Sequence, residues 1–238
     1  MRSLFRLAIA FLAIVGAVSS ANAQDIRIAH IEGLSGPFAN VGDHWLSEFR
    51  FAADRVNSQG GVLNGRKLSV IPFDNKGSPQ ESLIQLRNAI NQGVRFILHG
   101  NSSAVASALV DAIDKHNARS PDAQVMYLNY SAIDTPLTNE RCSFWHFRFD
   151  AHVDMKINAL VSALSTDSKI KKVYLINQDY SFGHTVSKSA IAALKDKRPD
   201  IEVVGNDFHP IGQVRDFLPY VAKIQASGAQ AVITANWG

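Results

Sequence analysis

The sequence of 238 residues is poor in the features that mark many catalytic and nucleic-acid-binding chains. It has one cysteine, which excludes an internal disulfide framework and a multi-cysteine zinc site. Its eight histidines are scattered, and no pair has the close spacing of a zinc motif. No G-x-G-x-x-G follows a strand pattern and no P-loop is present, which disfavours a nucleotide-dependent enzyme. Charge blocks, low-complexity tracts and repeats of solenoid length are also missing. The longest apolar run, Leu7 to Val18, is about 12 residues, short of the ~20 needed to span a bilayer.

That run has a place of its own. Arg2 and Arg6 precede it and Ala21-Asn22-Ala23 follows, the pattern of a secretory signal peptide over residues 1–23 with Gln24 as the mature start. Its removal lowers Lys+Arg from 24 to 22 against 21 Asp+Glu, leaving a nearly neutral chain. Charge therefore gives no reason to invoke nucleic acid. A bacterial-type leader without cysteine at the cleavage site points to the periplasm. Cys142 then stands alone and is expected as a small buried core residue, a partner elsewhere in a longer chain being the alternative.

What remains alternates between two kinds of segment. Ile26 to Ile31, Lys67 to Phe73, Val94 to Leu98 and Val125 to Leu128 read as strands, and Phe144 to Phe149 as a further extended piece. Between them run helical patterns: Trp45, Phe49, Ala52, Ala53 and Val56; Leu83, Leu86 and Ile90; Val105, Leu109, Ala112 and Ile113. Ser78-Pro79-Gln80-Glu81 is a capping box, and Gly93 closes the helix that it opens. Pro72 places the second strand at an edge or end of its sheet. From Ala151 the cycle repeats, with strands at Val173–Ile176, Ile201–Val204 and Ala231–Thr234. Strands alternating with helices of this length predict an α/β fold built on mainly parallel sheets. The break near 144–150 suggests a first lobe over 24–146 and a second over 147–238. A second lobe of three strands is thin, so the chain is expected to be a C-terminally shortened version of a longer protein.

Ligands of open α/β sheets bind beyond the carboxyl ends of the strands. Those ends are small and polar here: Ser35-Gly36, Asn101-Ser102-Ser103 and Tyr130-Ser131-Ala132 in the first lobe. In the second they are Asp179-Tyr180-Ser181-Phe182 and Asn236-Trp237. The loop after the first strand offers backbone donors from Ser35 and Gly36 and an apolar edge from Phe38, facing Tyr180 and Trp237 across a cleft. Hydroxyls and amides on one side with aromatics on the other suit a small molecule that has a carboxylate and an organic body. Each serine could instead be a helix cap, a role open to Ser102 or Ser103. Gly100-Asn101-Ser102-Ser103-Ala104 approximates the nucleophile elbow of a secreted serine hydrolase, with Ala104 in place of the second glycine and Asp179, His184 or His209 as distant partners. His30 and His99 are expected at the edge of the core.

Several segments resemble the class I periplasmic solute-binding proteins of ABC importers, in the leucine/isoleucine/valine-binding branch. They are Leu34-Ser35-Gly36-Pro37-Phe38-Ala39 with Gly42, the run from Val56 through Asn64-Gly65-Arg66-Lys67-Leu68, Asp74 with Ser78-Pro79, Gly100 to Ser103, Phe147-Arg148, and Asp179 to Gly183. The resemblance implies a two-lobed, hinged receptor, monomeric and without cofactor, metal or catalysis. It would close on a small-molecule ligand and present it to an inner-membrane ABC permease. In such amino-acid binders the positions matching Asn101, Ser102, Ser103, Tyr130, Ser131 and Ala132 hold the α-carboxylate and α-amino groups. Tyr180 matches a ligand-contacting aromatic and Trp237 falls close to another. The acidic partner of a ligand ammonium matches a position beyond Gly238. Asn101 stands where serine is common and Ile133 where threonine is. With Phe38, Tyr130, Phe182 and Trp237 at the loops, an aromatic carboxylate is the alternative ligand, and a ligand sensor the alternative role.

Overall fold

The computed structural model describes residues 24–237, so the leader expected at 1–23 lies outside the described residues. Strand β1 (Ile26–Glu32) leads through a 3-10 turn (Gly36–Phe38) into helix α1 (Ala39–Ser58). There follow β2 (Leu68–Asp74), α2 (Pro79–Asn91), β3 (Phe96–His99), α3 (Ser103–Arg119), β4 (Met126–Asn129) and β5 (His146–Arg148). The second series is α4 (Val153–Leu164), β6 (Lys172–Gln178), α5 (Ser181–Lys197), β7 (Glu202–His209), α6 (Leu218–Ala226) and β8 (Ala231–Ile233).

The first series forms a five-stranded sheet in the order β2-β1-β3-β4-β5, and the second a three-stranded sheet in the order β7-β6-β8. All pairings between these strands are parallel. Each sheet has its own core. Ile31, Ile97, Leu109, Ile113 and Tyr127 fill the first, and Val161, Val173, Leu175, Val186 and Leu194 the second. The chain is thus a two-lobed α/β structure with parallel sheets flanked by helices. β5 pairs with β4, so Phe147 and Arg148 join the edge of the first sheet.

Local chemistry explains where these elements begin and end. Ser78 caps α2, its Oγ accepting from the Glu81 amide at 3.4 Å, while the Glu81 carboxylate turns forward to Gln85 Nε2 at 3.0 Å. Half of the expected capping box therefore forms. β2 is an edge strand, as its proline requires. Two asparagines at helix ends substitute for missing ladder partners. Asn57 Oδ1 and Nδ2 bond the amide and carbonyl of Leu68 at 2.8 and 2.9 Å. Asn117 does the same for Val125, both at 2.8 Å. Each ties the end of a helix to the start of the next strand.

Cys142 corrects an expectation: it is exposed, not buried. It lies in the turn that follows the 3-10 helix Thr135–Thr138, its amide bonded to the Asn139 carbonyl at 3.1 Å. A turn ahead of an edge strand presents its side chains to solvent.

Asn117→Ala leaves two buried backbone groups at Val125 without partners and is expected to lower the unfolding free energy by about 2–4 kcal/mol. Urea denaturation checks this; a loss below about 1 kcal/mol would show that the helix-to-strand tie is dispensable.

Candidate functional site

The chain leaves β1 toward β2 on one side and returns to β3 on the other, which opens a crevice at the carboxyl ends of β1 and β3. The loops around it are held by side chains that occupy their backbone donors. After β1, the Leu34 amide donates to Asp74 Oδ1 at 2.9 Å and the Ser35 hydroxyl to Asp74 Oδ2 at 2.6 Å, while the Lys76 amide adds another bond at 2.9 Å. Burial would raise the Asp74 carboxyl, but the Ser35 hydroxyl and these amides outweigh it and hold it below its ordinary value. After β4, Asn129 Oδ1 accepts from the amides of Ser131 and Ala132 at 3.2 and 2.7 Å, and its Nδ2 donates to the Ala132 carbonyl at 2.8 Å.

Between these two loops lies a buried charged cluster. Glu32, 2% exposed, ends β1. Its Oε1 accepts from the amides of Gly100 and Asn101 at 2.8 and 3.0 Å and from the Tyr130 hydroxyl at 2.6 Å. His99 Nδ1 lies 2.9 Å from the same oxygen and 2.8 Å from the Ile31 carbonyl, and Nε2 lies 3.2 Å from the Ser102 carbonyl. Acceptors on both sides of the ring mean that both nitrogens carry protons, so His99 is a buried imidazolium. Burial opposes both charges. For Glu32, the His99 charge and hydrogen bond, then Tyr130 and Gly100, overcome it and bring the pKa to about 2. For His99, the Glu32 charge and hydrogen bond overcome burial and raise the pKa. His30 is also fully buried, with Nδ1 unpartnered among the described residues. Burial first, against the opposing pull of Glu32, lowers its pKa to about 4 and keeps it neutral. His30 and His99 therefore lie inside the core, not at its edge.

Beside this cluster the lobes enclose a cavity of about 310 Å³. The first lobe contributes Val41, Trp45, Asn101, Ser103, Ser131, Ala132 and Ile133, and the second Tyr180, Phe182, Ala235, Asn236 and Trp237. Six residues expected from the sequence meet there: Asn101, Ser103, Ser131, Ala132, Tyr180 and Trp237. Asn101 keeps a buried Nδ2 with no partner among the described residues. Trp237 Nε1 donates to the Tyr180 hydroxyl at 2.6 Å, and Gln178 Nε2 fixes the Trp237 carbonyl at 2.6 Å. Burial raises the Tyr180 phenol above its ordinary pKa, so it remains protonated.

The other expected residues are placed differently. Ser35 and Gly36 lie off the cavity wall, because the Ser35 hydroxyl is spent on Asp74. Ser102 caps α3 by accepting from the Val105 amide at 3.4 Å, and no histidine among the described residues bonds its hydroxyl. The hydroxyl of Tyr130 turns inward to Glu32, while its ring packs on Trp45 with centroids 4.8 Å apart. Phe38 packs on Trp237, centroids 5.1 Å apart, beside a second cavity of about 340 Å³ formed with Gln178, His209 and Phe217. Cβ atoms added at Gly77 and Gly212 would come within 2.8 and 3.0 Å of its ring. Glu32 went unnoticed in the sequence because it reads as the polar end of an apolar strand. Trp45 was legible as part of a helical face, not as a wall. No cluster of acidic, histidine or cysteine side chains that could hold a metal occurs among the described residues.

The buried charges set the pH response. His30 binds its proton more weakly folded than unfolded, so stability is full above about 6.5 and falls as pH drops toward 4, by up to about 3 kcal/mol. The Glu32 contribution is present above 4.5 and is lost toward 2, whereas that of His99 is present below 6.5 and is lost as pH rises through its raised pKa. His30→Leu is expected to flatten the curve of unfolding free energy between pH 6.5 and 4 in urea titrations. A parent curve already flat in that window would show that His30 is not held neutral.

Comparison with known proteins agrees with this geometry. The profile of a family described as periplasmic binding protein matches residues 25–238. The chain is 34% identical over 232 residues to Leu/Ile/Val-binding protein homolog 4 of Brucella abortus (strain 2308), covering 97% of this chain and 55% of that protein. A leucine-, isoleucine-, valine-, threonine- and alanine-binding protein from Brucella ovis, solved in a closed conformation, matches with a TM-score of 0.76 at 34% identity, over 91% of this chain and 55% of that one. A solute-binding protein from R. palustris in complex with 4-hydroxybenzoate shares the fold, with a TM-score of 0.71 at 20% identity over 89% and 54% of the two chains. The chain spans about half the length of the curated relatives it matches. With its two parallel sheets and the cavity between their carboxyl ends, the chain belongs to the periplasmic binding protein family.

Proposed function

We propose that this chain captures a small carboxylate for an ABC importer, binding it between the lobes and delivering it to an inner-membrane permease. The observation that carries the reading is the cavity itself. It is bounded by both lobes, walled by aromatics and lined by Asn101, whose Nδ2 is buried and without a partner among the described residues. A volume of about 310 Å³ lies at the small end of the about 300–1,000 Å³ usual for ligand sites. A branched-chain amino acid fits that scale, and the Brucella relatives are named for binding such residues. Trp45, Tyr180, Phe182 and Trp237 favour a second ligand class, an aromatic carboxylate, as found in the R. palustris complex.

The mechanism is differential binding. A ligand that touches Asn101 and Ser131 on one side and Tyr180 and Trp237 on the other stabilises the state in which the lobes approach. No covalent step is needed, and the Ser102 hydroxyl, engaged as a cap, is no nucleophile; the protein is a monomeric receptor, not an enzyme. On this reading it works in the periplasm, in keeping with its family and with the leader expected at residues 1–23. None of the described helices is long and apolar enough to cross a membrane.

Thermal-shift screening of the full-length protein against branched-chain amino acids and hydroxybenzoates tests this reading. One class is expected to raise Tm by several degrees, since ligand at 100 times Kd stabilises by about 2.7 kcal/mol. Tyr180→Ala and Trp237→Ala should each abolish most of the rise. Silence across both panels would overturn the small-carboxylate assignment.

A further inference from the structure

We propose that Glu32 is the positioning residue of the ligand site: an internal carboxylate that touches no ligand but fixes the first-lobe wall that does. This rests on reading the inter-lobe cavity as the ligand site. Glu32 is 2% exposed and does not line the cavity. A single oxygen of its carboxylate nevertheless gathers donors from the ends of two further strands. The amides of Gly100 and Asn101 immediately precede Ser102 and Ser103, and the Tyr130 hydroxyl immediately precedes Ser131 and Ala132. Every polar residue on the first-lobe wall is thus itself held by Glu32 or lies within two positions of a group that it holds.

The two amides point where an anion would sit ahead of a helix N-terminus. Here the protein supplies that anion from within, and His99 balances its charge at 2.9 Å. An ion pair used for stability alone would need only His99. Spending the same oxygen on three loop donors makes the loop conformation depend on the carboxylate. The Tyr130 ring carries that dependence outward, because it packs on Trp45, which lines the cavity.

Glu32→Ala removes the carboxylate and leaves space and donors that a small free carboxylate can occupy. In the full-length variant, tryptophan emission is expected to shift to the red, and formate should reverse the shift in a saturable manner. Sodium chloride at the same ionic strength should not. Affinity for whichever of leucine or 4-hydroxybenzoate the parent binds should weaken by about tenfold or more, and formate should recover part of it. Where Glu32→Ala does not fold, Tyr130→Phe decides: it keeps the ring and removes one donor, and should both shift the emission and weaken binding several-fold at a temperature far below its Tm. Parent-like emission and parent-like affinity in the folded variant, or formate no better than chloride, would overturn the proposal. A parent that binds neither probe would sink the ligand-site reading instead, and rescue of emission by formate would still decide whether Glu32 positions the loops.

Discussion

Parallel strands that end beneath a cleft leave backbone amides pointing into it, and each must find an acceptor. In this chain the acceptors are side chains. Asp74 serves Leu34 and Lys76, Glu32 serves Gly100 and Asn101, and Asn129 serves Ser131 and Ala132. The second lobe uses the same device, with Asn177 Oδ1 accepting from the Ala235 amide at 2.9 Å. With those donors occupied, the groups left facing the cavity are the Asn101 side-chain Nδ2, small hydroxyls and aromatic faces. A wall whose backbone donors are already satisfied has less to order when a ligand binds.

The Glu32–His99 pair is the costliest part of this arrangement. Burying two charges is rarely a net gain, whereas removing one partner of such a pair typically costs about 3–5 kcal/mol. Its value lies in geometry, since the charged oxygen binds more strongly than a neutral acceptor would and holds several donors at once. His30, neutral beside the pair, adds apolar packing against Phe49 and Tyr130 without a further charge.

The architecture was legible in the sequence because periodicity and breakers agree along most of it. Pro72 announced an edge strand, Ser78-Pro79 a helix start, and the run through Asn57 a helix-to-strand joint whose hydrogen bonds the structure supplies. Other features were hidden for physical reasons. The strand read as Ile201–Val204 continues to His209, because Gly205-Asn206-Asp207 looks like a turn but sits beside Tyr174, whose ring would lie 2.1 Å from a Cβ at Gly205. Cys142 followed the general habit of free cysteines in the sequence and the habit of turns in the structure. Of the strand-end residues, those that meet in the cavity were recognisable by position. The inward turn of Tyr130 and the engagement of Ser35 by Asp74 depend on partners about 100 and 40 positions away in sequence, which no local pattern reveals.

The placement of Phe38 has a consequence for the spacing of the two lobes. Its ring leaves the first lobe, lies between Gly77 of that lobe and Gly212 of the other, and rests on Trp237. Neither glycine can gain a side chain without moving the ring, and the ring cannot move without disturbing an aromatic that also lines the inter-lobe cavity. Phe38 therefore works as a stop at the rim: with its ring lodged there, the two walls come no closer at that point than the thickness of one phenyl ring.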